Sequence, residues 1–268
     1  MSEGLLHAAR ALRPAILEAR AEMDASRRVP AALADALAVR QLFRLAISTE
    51  EGGLEAPPAN ILEVIEELAS ADASPAWLVW NNTLPALLSR YLGAEARREL
   101  FADPGLVTAS STRPSGRAVP ADGGGFRISG RWSLVSGCEL ADLCLLTCFV
   151  EGPSGAAPET ILVFLPRQDC KVVDTWHSGG LRGSGSHDVV VDRALVSASR
   201  TVAFTAPSQL AGPLYSMPFA AMMSIGCAAV TLGVARTALD ALAALVPVKE
   251  SSGPGPRLSP KFALGTAR

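Results

Sequence analysis

Gly130-Arg131-Trp132-Ser133-Leu134-Val135-Ser136-Gly137 decides how this chain is read. Side chains on a strand alternate between its two faces, so a strand over this run places Trp132, Leu134 and Ser136 on one side. Gly137 then leaves the backbone bare where a flat partner can approach closely. An aromatic ring, a hydroxyl and an open backbone at one strand end suit a flat heterocyclic ligand. A second informative run, Trp176-His177-Ser178-Gly179-Gly180-Leu181-Arg182-Gly183-Ser184-Gly185-Ser186-His187-Asp188, reads as a long turn leading into a strand near Val189 to Val191.

Toward the N-terminus the pattern is helical. Leu5 to Met23 has the spacing of one amphipathic helix, and Val29-Pro30 opens another with proline in a tolerated first-turn position. Glu51-Gly52-Gly53-Leu54-Glu55-Ala56-Pro57-Pro58 interrupts the pattern as a loop, after which Ile61, Leu62, Ile65 and Leu68 resume a helical stripe. Ser74-Pro75 predicts an N-cap and a first-turn proline for the helix holding Trp77 and Trp80, and Pro85 should kink or end that helix. Gly93 to Phe101 predicts one more short helix, and Asp103-Pro104-Gly105 marks the change to strands.

From Leu106 to about Phe204 the chain breaks into short apolar runs, including Leu143 to Val150, Thr160 to Leu165 and Val189 to Val191. Asp122-Gly123-Gly124-Gly125 predicts a hairpin turn, and Gly152 to Pro158 a loop. Helical spacing returns from Leu214 to about Val246, ended by Pro247. Within it Pro218 to Ala235 is uncharged and about as long as a membrane span, yet it runs into Arg236 and Asp240 at helical spacing and carries Gly226 and Gly233 for close packing. It is therefore expected to be a buried bundle helix, with no membrane as partner. The order is helices, sheet, helices.

Composition removes several classes of function. A net charge of -2 over 268 residues, with no lysine-rich tract, gives no electrostatic basis for a nucleic-acid partner. The five cysteines contain no CxxC pair and are odd in number, so they are expected to be buried thiols in a reducing cytoplasm. Cys144 and Cys148 would share a strand face, where core packing is the simpler account than a metal or redox pair. His7, His177 and His187 lack metal-ligand spacing, so no metal is expected. Met1 to Arg10 lacks the basic-then-apolar pattern of an export signal, so no export is expected and a cytoplasmic location is the expectation. No GxGxxG, GxxxxGK[ST] or GxSxG motif occurs. Ser186-His187-Asp188 is not a hydrolase relay, because neighbours on a strand point to opposite faces; His187 is expected to cap a turn.

Taken together, several segments resemble the acyl-CoA dehydrogenase family. Gly130 to Gly137 followed by Cys138-Glu139-Leu140-Ala141-Asp142 is similar to the flavin-contacting strand of that fold. In order along the chain, Glu51-Gly52-Gly53-Leu54 resembles its Tyr-Gly-Gly-Leu loop, Ser110 to Pro114 its Leu-Thr-Glu-Pro segment, and Leu232-Gly233-Val234-Ala235-Arg236 its first C-terminal helix. Trp132, Ser136-Gly137-Cys138 and the Trp176 to Val191 stretch are closer to the flavin-dependent monooxygenase (hydroxylase) branch. The resemblance implies an α+β fold: an N-terminal helical domain over 1–104, a middle β-barrel-like domain over 105–205 and an incomplete C-terminal helical domain over 206–268. It also implies a tetrameric homo-oligomer, FAD or FMN as cofactor, a small and often aromatic substrate, and a separate flavin reductase as partner.

By the same resemblance Ser136 takes the place of the hydroxyl near flavin N5, where it could tune the reduced flavin, and is the candidate catalytic residue. Ser110, Ser111 and Thr112 would face the pyrimidine edge of the ring, and Trp132, Leu134, Val135 and Gly137 complete the candidate cofactor-binding set. The family's catalytic glutamate aligns with Met223 at one of its two known positions and beyond Arg268 at the other, which argues against acyl-CoA desaturation. Of the four main helices of the family's C-terminal bundle only the first is complete here, and Leu258 to Arg268 resembles a second cut short, so a C-terminally truncated chain is expected. Two alternatives stand beside the monooxygenase: an acyl-CoA or acyl-carrier dehydrogenase, and a truncated non-catalytic partner of a full-length paralogue.

Overall fold

The computed structural model describes residues 2–152, 159–204 and 206–245. It opens with α1 (Ser2–Ala11) and α2 (Arg13–Ser26), which divide the single helix expected over Leu5 to Met23. Pro14 is the cause, since it has no N–H for the hydrogen-bond ladder and is tolerated only in a first turn. Next come α3 (Ala31–Val39), with Pro30 at its N-cap, α4 (Pro58–Ala71), α5 (Ala73–Leu88) and α6 (Ala94–Leu100). The start of α5 differs from expectation: Asp72 is the N-cap, its carboxylate accepting from Ser74 N at 2.8 Å. Asp is among the strongest capping residues, and Pro75 then falls where a missing N–H costs nothing. Pro85 stands inside α5, which ends within a turn of it at Leu88.

Seven strands follow: β1 (Thr108–Pro120), β2 (Phe126–Val135), β3 (Leu143–Val150), β4 (Thr160–Pro166), β5 (Lys171–Val173), β6 (His187–Val196) and β7 (Thr201–Ala203). They form one mixed sheet in the order β5-β6-β2-β1-β3-β4-β7, in which β1 and β3 run parallel and the other pairs antiparallel. The expected Asp122 to Gly125 turn joins β1 to β2. Of the loop expected over Gly152 to Pro158, residues 153–158 lie outside the described residues.

The sheet buries both faces, which is why β3 reads as an unbroken apolar run. Leu143 and Leu145 face the helices, in one core with Trp80, Leu84 and Phe101, whereas Cys144, Leu146 and Cys148 face a second core that Trp132, Val163 and Val189 share. That second core draws side chains from β1, β2, β3, β4 and β6, as a sheet curled in barrel-like fashion requires.

Two helices complete the described chain, α7 (Pro213–Ser216) and α8 (Phe219–Leu245). The Pro218 to Ala235 stretch, expected as a buried bundle helix, is buried on one side only. Met222, Gly226, Ala229, Val230 and Gly233 are buried, chiefly against α4 and α5, while Leu232, Val234, Leu239, Leu242 and Leu245 are exposed. Two glycines permit the close crossing. A Cβ on Gly226 would lie 2.2 Å from the Trp80 ring, and one on Gly233 would lie 2.4 Å from the Glu66 carbonyl oxygen. One side of an all-apolar helix is thus covered. Val246, Pro247 and the Leu258 to Arg268 segment lie outside the described residues.

Candidate functional site

The end of β2 does not keep the simple alternation expected of it. Its pairing with β6 shifts register between Trp132 and Val135, and Leu134 takes a left-handed backbone with φ 59°. A bulge of this kind inserts one residue and reverses which face the following side chains take. Trp132 and Val135 are consequently both fully buried, while Leu134 is 59% exposed. Trp132, Leu134 and Ser136 therefore do not share a face, a correction that periodicity alone could not supply.

Each candidate residue has a definite environment. The Trp132 indole lies in the core inside the sheet, donating from Nε1 to the Thr147 carbonyl at 2.7 Å and packing on Gly116 and Gly130. Gly137, at φ 74°, is met by helix α5 and not by open space: a Cβ there would lie 2.2 Å from Leu78 Cδ1. Its N–H donates to the Ser184 carbonyl at 2.9 Å, which pulls the 176–187 segment onto the end of β2.

Ser136 occupies the junction. Its hydroxyl accepts from Trp77 Nε1 at 2.9 Å and lies 2.7 Å from Ser186 Oγ, which in turn lies 2.7 Å from Ser184 Oγ. All three serines are buried. On β1, Ser110 is buried and its hydroxyl has no hydrogen-bond partner among the described residues, Ser111 accepts through its carbonyl from Thr147 Oγ1 at 3.1 Å, and Thr112 is half-buried. Helix α5 joins the two strands: Trp77 reaches Ser136, and Asn82 Oδ1 accepts from Thr108 N at 2.5 Å.

Ion pairs fasten the 174–187 segment to the end of α2. Arg27, itself left-handed at φ 59°, grips Asp174 through both terminal nitrogens at 2.6 and 2.7 Å and donates to the Trp176 carbonyl at 2.8 Å. The Arg27 guanidinium holds the Asp174 carboxyl down to about 2. Arg182 pairs with Asp24 at 2.8 Å. Gly183 lets the segment touch both helices, since a Cβ there would fall 2.9 Å from Met23 Cβ and 3.0 Å from Ser74 Cβ.

His187 caps the turn as its sequence context predicts. Its Nδ1 accepts from the backbone N–H groups of Thr175 and Trp176, both at 3.2 Å, and its Nε2 lies 3.5 Å from Glu139 Oε2. Asp188 points elsewhere, to Arg131 Nε at 2.6 Å and Thr175 Oγ1 at 3.0 Å, so Ser186, His187 and Asp188 form no relay.

Cys144 and Cys148 are both in the core, which Cys138 and Cys170 share. Burial pushes the thiols of Cys138 and Cys148 up to about 12. Among the described residues no cluster of three or more His, Cys, Asp or Glu side chains is placed to hold a metal ion.

The sequence reading missed three members of the site: Trp77, Ser184 and Ser186. Trp77 stands out only in the structure, as the one half-buried residue in the otherwise buried stretch from Ser74 to Leu88. The serines had no signal beyond their place in a glycine-rich turn.

A helical N-terminal layer on a mixed curled sheet, followed by a long apolar helix, defines the acyl-CoA dehydrogenase-like fold. Residues 5–104 match the domain described as Acyl-CoA dehydrogenase, N-terminal domain, and the described chain has this fold. Among similar proteins, the indole-3-acetate monooxygenase of Pseudomonas putida is 30% identical over 246 residues, covering 89% of this chain and 61% of that protein. The oxygenase subunit HsaA, a flavin-dependent monooxygenase of Rhodococcus jostii (strain RHA1), is 30% identical over 247 residues, covering 86% of this chain and 62% of its own. The solved structure of XiaF from Streptomyces sp., in complex with FADH2 and glycerol, superposes with a TM-score of 0.89 at 28% identity, over 99% of this chain and 69% of that one. The chain thus spans about three fifths of the length of these curated relatives.

Proposed function

We propose that this chain is the oxygenase component of a two-component flavin-dependent monooxygenase, hydroxylating a small, often aromatic substrate with reduced flavin and dioxygen. The observation that carries this reading is the buried Ser136 hydroxyl, held between α5 and the 184–186 turn, in a chain about 30% identical to two monooxygenases, one of them a flavin-dependent oxygenase subunit. Bound reduced flavin, FAD or FMN, would supply the oxygen-activating chemistry.

The residues present fit such a group. Ser110 Oγ is a buried polar atom without a partner, and a buried hydroxyl left unpaired costs about 1–3 kcal/mol, so a ring edge bearing acceptors beside it would be stabilised. Ser111 and Thr112 extend the same polar strand end. Ser136 offers a second hydroxyl, and Leu134, turned outward by the bulge, offers an apolar surface that excludes water. Trp132, Val135 and Gly137 act in this reading by holding the backbone around Ser136 rigid, since their side-chain space is filled by protein.

A flavin reductase would deliver the reduced cofactor, and a cytoplasmic homo-oligomer is the form in which we place the enzyme. Against the dehydrogenase alternative, Met223 aligns with one of the family's two glutamate positions, and a thioether takes up no proton. Titration of the purified 268-residue chain with oxidised and reduced FAD and FMN tests the proposal. Binding that weakens about tenfold in Ser136→Ala, the loss of one good hydrogen bond, is expected. A folded chain that binds neither flavin would overturn the reading in favour of a non-catalytic partner role, and bleaching of bound oxidised flavin by an acyl thioester without oxygen would overturn it in favour of a dehydrogenase.

A further inference from the structure

Helix α5 is wedged between α8 and the sheet, and its side chains sort by direction. Trp80 faces α8, where Gly226 leaves room for its ring. Leu78 faces Gly137 and Asn82 faces Thr108, both on the sheet side. Successive helical residues turn by about 100°, so Trp77 and Asn81 project between those two directions, into the seam where α5, α8 and the Ser136 turn converge. They stand one turn apart, and Trp77 is the residue that touches Ser136.

Two adjacent asparagines on this helix are used differently. Asn82 is saturated: its Nδ2 donates to the Phe43 carbonyl at 2.6 Å, and its Oδ1 accepts from Thr108 N at 2.5 Å and from Thr108 Oγ1 at 3.0 Å. Asn81 is half used. Its Nδ2 donates to the Trp77 carbonyl at 2.9 Å, and its Oδ1 has no partner among the described residues. The orientation of this amide is fixed, because a carbonyl accepts and never donates, so the NH2 end faces Trp77 and the oxygen faces away. Asn81 is only 7% exposed, and an amide oxygen held in such a place is stabilised when a ligand supplies the missing donor.

The surroundings of that oxygen select the donor. Helix α8 runs back along α5, since Trp80 meets Gly226 while Arg90, beyond the end of α5, donates to the Tyr215 and Met217 carbonyls just before α8. The part of α8 that passes Asn81 therefore lies around Met222 to Gly226, and residues 219–235 carry no charge. An anionic group would meet the negative end of the Asn81 amide with no cation on that stretch to offset its desolvation. A neutral O–H or N–H on a flat ring fits, its donor on Asn81 and its apolar face against half-buried Trp77 and α8.

We propose that Asn81 is a specificity-determining residue whose Oδ1 accepts a hydrogen bond from the substrate, so that the substrate class is a neutral aromatic carrying an O–H or ring N–H donor. The inference rests on the flavin-dependent hydroxylase reading above and narrows it. Asn81 and Asn82 are indistinguishable until their partners are known, so periodicity and motif order hold no trace of it.

The test is an NMR titration of the isotope-labelled 268-residue chain with phenol against anisole and with indole against N-methylindole, each pair differing by methylation of the donor. Oxidised and reduced FMN are titrated into the same samples. The wild type is expected to bind the donor-bearing member about tenfold more tightly, as one net hydrogen bond gives. The side-chain amide signals of Asn81 should shift with phenol and hardly move with anisole. In Asn81→Leu, similar in size and without the acceptor, the affinity ratio should fall to within about twofold.

Equal affinities within each pair for the wild type overturn the assignment, as does binding of neither member or a preference that survives in folded Asn81→Leu. If that variant does not fold, the wild-type ratio and the Asn81 amide signals decide by themselves. A chain that keeps the tenfold ratio but binds no FMN supports the Asn81 contact and refutes the flavin reading. One that binds FMN with a ratio near unity does the reverse.

Discussion

Arg27 closes both of its terminal nitrogens on the two carboxylate oxygens of Asp174, at 2.6 and 2.7 Å, from the left-handed residue that ends α2. The pair joins the first helices of the chain to the segment that carries Ser184 and Ser186. With its folded pKa held down to about 2, below the ordinary 3.8, Asp174 contributes stability that is fully present above about pH 4 and lost as the pH falls toward about 2. In Arg27→Ala that carboxyl should titrate near its ordinary value, and the acid limb of the stability profile between those limits should flatten. Carbon-detected NMR of the Asp174 carboxyl, alongside urea melts at pH 5 and below, checks both.

His187 is expected to matter for the turn and not for flavin. In His187→Gln the amide oxygen can still accept from Thr175 and Trp176, so flavin affinity should remain within about twofold. His187→Ala leaves two half-buried N–H groups without their protein acceptor and should cost about 1 kcal/mol of stability in chemical denaturation.

Trp132 and Gly116 are predicted to be structural partners. A Cβ on Gly116 would lie 2.0 Å from Trp132 Cζ2, so Gly116→Ala should destabilise by about 1–3 kcal/mol through overpacking. Trp132→Ala should cost about 3–5 kcal/mol by leaving a cavity. Urea unfolding followed by circular dichroism separates these from a surface substitution such as Arg117→Ala, expected to change stability by about 0.5 kcal/mol or less.

Thiol reactivity should follow burial. Cys138 and Cys148, pushed up to about 12, should resist iodoacetamide at pH 8 in the native protein, and Cys227, the one cysteine that is not fully buried, should be alkylated first. Peptide mass spectrometry before and after denaturation reads the order directly. Early labelling of Cys138 would contradict the packing around Gly185, whose carbonyl the thiol approaches at 3.7 Å.

Helix α8 should come loose when its glycines gain side chains. Gly233→Val would drive a methyl-bearing carbon into the Glu66 carbonyl, 2.4 Å from where its Cβ must sit. Amide exchange over 219–245 should accelerate in this variant by about tenfold or more, whereas Leu239→Ala on the exposed side should leave it nearly unchanged.

Much of this molecule was legible from local sequence, for reasons that are themselves local. The 3.6-residue stripe of Ile61, Leu62, Ile65 and Leu68, the glycine turn at Asp122 to Gly125 and the continuous apolar run of Leu143 to Val150 each fix an element through periodicity or backbone freedom, and the elements appear where expected. Pro14 was present in the sequence too, but amphipathic spacing runs straight through it and hides the break between α1 and α2. Motif order along the chain carried the fold class. What only the tertiary structure decided was which side chains meet. The bulge at Leu134 depends on how β2 registers against β6, a pairing of segments about sixty residues apart, and it overrules the period-two pattern. Trp77, Ser136 and Ser186 come from a helix, a strand end and a turn, and nothing in the spacing of any one segment places an indole N–H and two hydroxyls within hydrogen-bond distance of each other. Sequence periodicity records which face of an element is apolar; the packing of those faces alone determines which polar atoms are buried together.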